Sequence, residues 1–78
     1  MDEIPAATLD ITREVCPMTF VRTRLALDRL ASGQTLLVML RGEEPTQNVP
    51  RTAVQLGHQV LAQHTDAGGT TRLLLRRC

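Results

Sequence analysis

The sequence predicts an α/β fold, a two-layer sandwich in which two helices pack on one face of a four-stranded mixed sheet, with the order βαβαββ along the chain. Three observations support this. Apolar residues recur at helical spacing in two segments, four short segments have the pattern of strands, and breaks containing glycine or proline separate them. With 78 residues, 42% of them hydrophobic and 1% aromatic, we expect one domain, residues 1–78, with an aliphatic core.

The first predicted strand is residues 8–11, where polar and apolar side chains alternate, and Arg13 and Glu14 follow in a loop. The period then changes, and residues 17–31 predict the first helix. One face of this helix combines Phe20, Thr23, Leu27 and Leu30, and Arg22 and Arg29 lie opposite. The Ser-Gly pair at 32–33 should end it, because glycine accepts the left-handed conformation common after a C-cap.

Residues 35–41 are apolar at five consecutive positions, which favours a central strand with a neighbour on each side. After a break containing glycine and proline at 42–45, a second helix is expected to run to Leu56. Thr46 or Asn48 would cap it, since either offers a side-chain oxygen to unpaired backbone amides, and Pro50 would lie in its first turn.

The last third of the chain predicts a hairpin. Gly57 ends the second helix and residues 58–64 form the third strand. The sequence Asp-Ala-Gly-Gly at 66–69 is a turn, and residues 70–77 form a fourth strand antiparallel to the third.

Right-handed crossovers would make the first three strands parallel, with both helices on one face of the sheet. Each helix then begins where the preceding strand ends. We therefore expect Cys16, the 42–48 segment and the 66–69 turn at the same end of the sheet.

The face of the sheet without helices should be partly apolar. We expect alternate members of 36–40 and Leu74 on it, with Arg72 and Arg76 alongside. Such a face often pairs with a second copy of the chain or docks another partner, so a homodimer through it is one of two expectations.

The composition excludes several classes of function. Nine basic and eight acidic side chains give a net charge of +1, too small to attract nucleic acid or an anionic membrane over distance. Every basic residue is arginine, so no lysine can form a Schiff base. The N-terminal segment is too polar for a signal peptide, and the longest apolar run, 36–40, cannot span a membrane. We expect a cytoplasmic protein with reduced cysteines.

The candidate catalytic residue is Cys16, followed by Pro17. Proline suits the first helical position, which would place Cys16 at the N-cap. A thiolate there would be favoured by free amides and the helix dipole by about 0.3–1 kcal/mol, and Arg13 could add to this. The pattern therefore predicts a surface thiol of raised nucleophilicity that needs no metal and no cofactor. The alternative is a small side chain buried beneath a helix end.

The other candidate residues favour structural roles. Cys78 follows a strand that runs back from the turn, so we expect it about 20 Å from Cys16, too far for a disulfide. His58 and His64 are too far apart along one strand to share a metal ion. Two adjacent acidic residues, Glu43 and Glu44, form a solvated loop or a recognition surface beside Cys16.

Beyond these arguments, the sequence resembles the TusA/SirA-like sulfur carrier proteins, whose hallmark is a strand, a short loop and Cys-Pro-x-Pro opening the first helix. The resemblance covers Leu9 to about Arg76. The matching positions are Leu9-Asp10, Cys16-Pro17, Ser-Gly-Gln-Thr-Leu at 32–36 and Gly57-His58.

Three positions depart from the family pattern and indicate a divergent member. Thr19 replaces the second proline, Arg13 replaces a glycine before the cysteine, and Asn48 replaces an acidic residue of the second helix. None of these changes removes the sulfur atom.

The resemblance implies that Cys16 carries sulfur as a persulfide between a donor protein, of the cysteine desulfurase or rhodanese type, and an acceptor protein. The identities of both, and the choice between sulfur and selenium, stay open. One alternative is a non-catalytic regulatory or protein-binding module that keeps the fold. A weaker one is RNA binding through Arg72, Arg76 and Arg77, based on a fold like that of the C-terminal domain of translation initiation factor 3.

Overall fold

The computed structural model describes residues 4–15 and 17–78. The predicted order βαβαββ is confirmed. The elements are β1 (Ala7–Asp10), α1 (Met18–Asp28), β2 (Thr35–Arg41), α2 (Glu43–Gln55), β3 (Gln59–Thr65) and β4 (Thr70–Arg76).

The sheet has the strand order β1-β2-β4-β3. β1 pairs in parallel with β2, and β4 lies antiparallel to both β2 and β3. The first three strands therefore run in the same direction, as predicted, but β4 separates β3 from the other two. The carboxyl ends of β1 and β2 meet at one end of the sheet, which is where the candidate site lies.

The core is aliphatic, as predicted, and lies between the sheet and the two helices. The fully buried apolar residues are Ile11, Leu27, Leu36, Val38, Leu40, Val49, Ala53, Leu73 and Leu75. On the opposite face of the sheet, Leu37, Met39 and Leu74 are half-buried beside exposed Arg72. The expected mixed apolar and basic face is therefore present, and the homodimer predicted from it stays a prediction.

Helix α1 is shorter at both ends than the predicted 17–31. Pro17 is the N-cap residue, in place of Cys16, because its φ of −91° and ψ of 4° lie outside the α-helical range. At the other end, the Leu30 N–H bonds to the Leu27 carbonyl and the Ala31 N–H donates to the Gln34 side chain at 2.7 Å. These bonds end the helix before the Ser-Gly pair.

Helix α2 begins at Glu43, so the predicted caps Thr46 and Asn48 lie inside it. Gly42 precedes the helix with φ 104°, a left-handed value that favours glycine. Pro45 lies in the first turn, where a missing N–H costs little, and this is the place we had predicted for Pro50. The predicted loop at 42–48 is therefore mostly the first turns of a helix.

Pro50 lies inside α2, where it cannot donate to the carbonyl of Thr46, four residues earlier. The side chain of Gln63 on β3 donates to that carbonyl instead, at 3.2 Å. A side chain from the neighbouring strand thus replaces the backbone donor that proline removes.

The hairpin differs from the prediction by one residue at three strand boundaries, because β3 begins at Gln59 and ends at Thr65, and β4 ends at Arg76. Asp66 fixes the turn between them. Its carboxylate accepts from the backbone N–H groups of Gly68 at 2.9 Å and Thr70 at 3.1 Å.

Candidate functional site

The predicted gathering of segments at one end of the sheet is confirmed for the described residues. Arg41, the last residue of β2, donates to the carbonyl of Gly68 at 2.8 Å and to the hydroxyl of Thr70 at 3.2 Å. This arginine therefore ties the end of β2 to the β3–β4 turn. The segment that leads into α1 lies at the same end, since Ile11 donates to the carbonyl of Met39 on β2.

Asp10 turns the chain from β1 towards α1. Its carboxylate accepts from the backbone N–H of Thr12 at 3.0 Å and from the Thr12 hydroxyl at 2.7 Å, which forms an Asx turn. The backbone hydrogen bond, with help from the hydroxyl, lowers the pKa of Asp10. The carboxylate is thus ionised at neutral pH and holds the turn.

An ion pair ties the loop before residue 16 to the helix after it. Arg22 of α1 lies 2.8 Å from the carboxylate of Glu14. Since both side chains are partly exposed, the pair contributes about 0–1 kcal/mol, and it is one contact between the loop and α1.

An open cleft of about 620 Å³ lies beside the residues that precede Cys16. Its walls are formed by Glu14, Val15, Gln47 and the continuous segment 41–45. Val15 is 73% exposed, which is high for an apolar side chain. Glu43 and Glu44, predicted as a loop or a recognition surface beside Cys16, are exposed in the first turn of α2 and line this cleft.

Cys16 itself lies outside the described residues, so its predicted exposure and thiolate character stay predictions. Its neighbours in the chain, Val15 and Pro17, are both exposed. The helix that follows has 11 residues, and the positive end of its dipole lies at this end of the sheet.

Thr19 was not assigned to the buried face of α1 in the sequence analysis, yet it is only 1% exposed. Its hydroxyl has no hydrogen-bond partner among residues 4–15 and 17–78. Of the face that was predicted, Thr23 and Leu27 are buried, whereas Phe20 and Leu30 are half-buried. Thr19 occupies the position of the family's second proline. That replacement was the one feature of the sequence that drew attention to this residue.

The outer face of α1 is unusually apolar. The helix buries two threonines, Thr19 and Thr23, while it exposes Met18, Val21 and Leu25. These three residues lie opposite Thr23 around the helix axis, and Arg22 and Arg29 lie to one side of them. We call Met18, Val21 and Leu25 the α1 ridge. It begins two residues after Cys16 and runs along the solvent side of the helix.

The other predicted candidates lie apart from this site. Cys78 is an exposed free cysteine at the opposite end of the sheet, where its backbone N–H donates to Nδ1 of His58 at 3.1 Å and its sulfur lies 3.9 Å from the carbonyl oxygen of Leu56. His58 immediately precedes β3 and His64 is exposed on that strand, as expected. In the part of the chain that the structure describes, no three potential ligands cluster as a metal site requires.

Comparison with known proteins identifies the family. Residues 7–77 match the family described as Sulfurtransferase TusA. The chain belongs to the TusA family. The matched segment includes both helices and all four strands, and it confirms the resemblance based on the Leu-Asp and Cys-Pro motifs.

Curated TusA relatives are named as sulfur carriers. A putative sulfur carrier protein of Archaeoglobus fulgidus is 46% identical over 69% of this chain, and the match spans 61% of that relative's own length. Sulfur carrier protein TusA of Pseudomonas entomophila is 34% identical over 86% of this chain and 84% of its own. These names favour a sulfur carrier over a non-catalytic binding module or an RNA-binding protein.

The fold is shared with a crystal structure of a SirA-like protein from Desulfitobacterium hafniense. The TM-score is 0.80 at 24% sequence identity, and the match covers 90% of this chain and 95% of that one. The predicted two-layer fold is thereby confirmed. Within residues 4–15 and 17–78, no helix is long and apolar enough to cross a lipid bilayer.

Proposed function

We propose that this TusA-family chain is a sulfur carrier in which Cys16 holds sulfur as a persulfide and passes it between partner proteins. The donor is a cysteine desulfurase or a rhodanese-type protein, and the acceptor is a second protein of the relay. We place this relay in the cytoplasm, where thiols stay reduced. The observation that carries the proposal is the family match across residues 7–77, which includes the Cys-Pro pair at the start of α1.

The transfer requires one nucleophilic thiolate and no further reagent. The Cys16 thiolate attacks the terminal sulfur of the donor's cysteine persulfide. A sulfur–sulfur bond forms to Cys16 while the donor's own sulfur–sulfur bond breaks, and the donor leaves as a thiolate. The proton on the terminal sulfur moves with it, so atoms, charge and electrons balance. Delivery to the acceptor repeats the exchange with Cys16 as the leaving thiolate.

The surroundings of residue 16 suit an exchange between two proteins. The adjacent cleft is open, and the residues on both sides of the cysteine, Val15 and Pro17, are exposed. An enclosed pocket is not required, because the substrate sulfur stays attached to a protein at every stage. The amino end of α1 favours negative charge on the sulfur by about 0.3–1 kcal/mol.

The α1 ridge is the surface on which we place the partner. Its three apolar side chains begin two residues after Cys16, so a protein that contacts them can also reach the sulfur. Since Arg22 and Arg29 border the ridge, the partner surface that fits it is an apolar patch with acidic residues at its rim.

Labelled sulfur tests the function. The protein is incubated with a cysteine desulfurase and radiolabelled cysteine, and the label that stays with the purified protein is measured before and after reduction. We expect label on the wild type that dithiothreitol removes. Cys16→Ser should take up none, and Cys78→Ser should be labelled like the wild type. Equal labelling of Cys16→Ser and wild type would overturn the assignment of Cys16.

A further inference from the structure

The side of the sheet opposite both helices carries a row of four side chains, one from each strand. The register pairs Asp10 with Met39, Met39 with Arg72 and Arg72 with His64. The residue before each of them packs against the core or bonds to α2, so these four side chains point away from the helices. From the β1 edge to the β3 edge, the row therefore reads acidic, apolar, basic and histidine.

The next row on the same side is mostly apolar. The register places Leu37 beside Thr8 on one side and Leu74 on the other, and Ala62 lies beside Leu74. The two leucines are half-buried and lie on the two central strands. We call these two rows together the open face. Its centre is apolar and its opposite charges lie towards opposite edges.

The polar side chains of the first row are available to another molecule. Both hydrogen bonds that Asp10 accepts from Thr12 go to Oδ1, and Oδ2 accepts none from the described residues. Among residues 4–15 and 17–78, the side chains of Arg72 and His64 take part in no hydrogen bond and no ion pair. The open face thus presents an anion at the β1 edge, and a cation and a histidine towards the β3 edge.

The excess of positive charge at this end of the face is partly neutralised within the chain. Arg41 is bound to the β3–β4 turn by its two hydrogen bonds. The pKa of Asp66 is lowered chiefly by the backbone N–H of Thr70, and to a smaller extent by the charges of Arg72 and Arg41. The carboxylate of Asp66 therefore offsets part of the arginine charge, which limits the repulsion between two such faces.

A two-fold axis parallel to the strands makes the open face complementary to itself. Rotation about an axis between β2 and β4 brings β1 opposite β3 of a second copy, and β2 opposite its β4. Asp10 then lies opposite His64 of the second copy and next to its Arg72, while Leu37 lies opposite its Leu74. A two-fold axis across the strands would instead place Arg72 opposite Arg76, two like charges.

We propose that the open face is the interface of a homodimer whose two-fold axis runs parallel to the strands. The two sheets pack face to face about 10 Å apart, with both helical layers outside. The starts of α1 then lie at the same end of the dimer in both copies, and the α1 ridge stays exposed. The dimer therefore leaves the surface assigned to the sulfur-relay partner free.

The size of the face sets the strength of this dimer. The molecule measures 30 × 29 × 18 Å, so the sheet forms one of its two broad sides. Four strands of up to seven residues cover about 19 by 23 Å, less than the roughly 800 Å² per copy of a standard interface. We therefore expect a weak dimer, half formed at a protein concentration between about 10 and 500 µM.

Sedimentation equilibrium tests the dimer. The mass is measured from about 5 µM to about 1 mM protein, with a reductant present so that no disulfide forms. We expect the average mass to rise from the monomer's 8.6 kDa towards twice that value. Leu74→Glu places a charge in the apolar centre and should raise the dissociation constant at least tenfold. A wild type that stays monomeric throughout, or a dimer that Leu74→Glu leaves unchanged, would overturn the proposal.

Two substitutions of the exposed His64 test the orientation of the copies and do not depend on Leu74→Glu folding. His64→Glu places a carboxylate opposite Asp10 of the second copy and should weaken the dimer about threefold or more, whereas His64→Arg should strengthen it. Val54→Glu, exposed on α2, is the control and should leave the dissociation constant unchanged. If the two His64 variants shift it in the same direction, or neither shifts it, the proposed two-fold arrangement is wrong. No sulfur donor is present, so each outcome is independent of the proposed carrier function.

Discussion

At the scale of single residues, the carboxylates of Asp10 and Asp66 stabilise two turns, one after β1 and one between β3 and β4. Each accepts hydrogen bonds from the residues that follow it, Thr12 for Asp10 and Gly68 and Thr70 for Asp66. Hydrogen bonds from the backbone N–H of Thr12 and of Thr70 are the main causes that lower the pKa of Asp10 and Asp66, respectively. These bonds are stronger to the ionised carboxylate than to the neutral carboxyl group, so the stability of the turns depends on pH.

The pH dependence of folding follows from the direction of these two shifts. A carboxyl with a lower pKa in the folded state contributes stability above its unfolded pKa of 3.8, and that stability is lost as the pH falls through the folded value. We expect the free energy of unfolding, measured by urea denaturation, to fall as the pH is lowered below about 4.

Asparagine variants provide the control. Asp10→Asn and Asp66→Asn should each reduce the slope of stability against pH in this acidic range, because one titrating group is removed. A slope unchanged in both variants would show that other carboxyl groups control the acid transition.

Sequence reasoning at the residue scale proposed Cys16 as the reactive residue, which stays a prediction, and it did not place Thr19 among the buried residues of α1. The spacing of threonines along the sequence predicts which face of a helix they occupy. It does not predict whether their hydroxyl groups form hydrogen bonds to the backbone. Only the contrast with Thr23, whose hydroxyl bonds to the preceding turn, shows that Thr19 differs. That contrast depends on packing and is not visible in the spacing of residues.

At the scale of elements, helix α2 tolerates an internal proline because β3 supplies a replacement donor. Gln63 donates a hydrogen bond to the carbonyl of Thr46. In a regular helix the backbone N–H of residue 50 would donate to this carbonyl, but Pro50 has no N–H. Two prolines, Pro45 and Pro50, lie within one sequence segment, and either could open a helix. Gly42, with its positive φ, precedes the first residue of α2, so the helix begins before Pro45. Local signals did not predict this boundary, because the contact from Gln63 that compensates for Pro50 comes from a distant part of the sequence.

A double-mutant cycle tests this compensation. Gln63→Met removes the donor with a similar side-chain shape, and we expect a loss of about 0.5–1 kcal/mol in the free energy of unfolding. In Pro50→Ala the helix regains its own N–H, so Gln63→Met should cost less in that background. Equal costs of Gln63→Met in both backgrounds, measured by chemical denaturation, would show that the two donors do not serve the same carbonyl.

The exposed apolar ridge of helix α1 can be tested by substitution. If partners dock on the α1 ridge, Leu25→Glu should slow sulfur uptake from a desulfurase at least several-fold, since it places a charge in an apolar contact. Leu25 is 55% exposed, so the fold and the pKa of Cys16 should not change.

Val54→Glu is the matched control for the ridge. Val54 is 57% exposed but lies on α2, away from the ridge, and its substitution should leave uptake at the wild-type rate. If both variants slow uptake equally, or neither does, docking on the ridge is wrong.

At the scale of the whole molecule, the connections from β1 through α1 to β2 and from β2 through α2 to β3 bring the starts of both helices to one end of the sheet. The order of elements, the direction of the first three strands and the meeting of the Cys16 loop with α2 followed from the sequence, because connectivity and handedness determine them. The insertion of β4 between β2 and β3 was not predicted. Pattern alone does not say which strand neighbours β2, although its five apolar residues required one on each side.

The same architecture places Cys78 and the residues that flank Cys16 at opposite ends of the sheet. Cys78 lies beside Leu56 and His58, at the end of the sheet where α2 finishes, whereas the residues on either side of Cys16 lie at the end where the helices begin. The molecule therefore offers two chemically similar thiols in different settings. Each serves as the control for the other in any experiment on sulfur transfer.

The most direct test of the central claim is the intact mass of the protein after incubation with a cysteine desulfurase and cysteine. We predict that Cys78→Ser gains the mass of one sulfur atom, and that dithiothreitol removes it. In Cys16→Ser, where only Cys78 remains, the mass should not change. A gain of sulfur in Cys16→Ser together with none in Cys78→Ser would contradict the account.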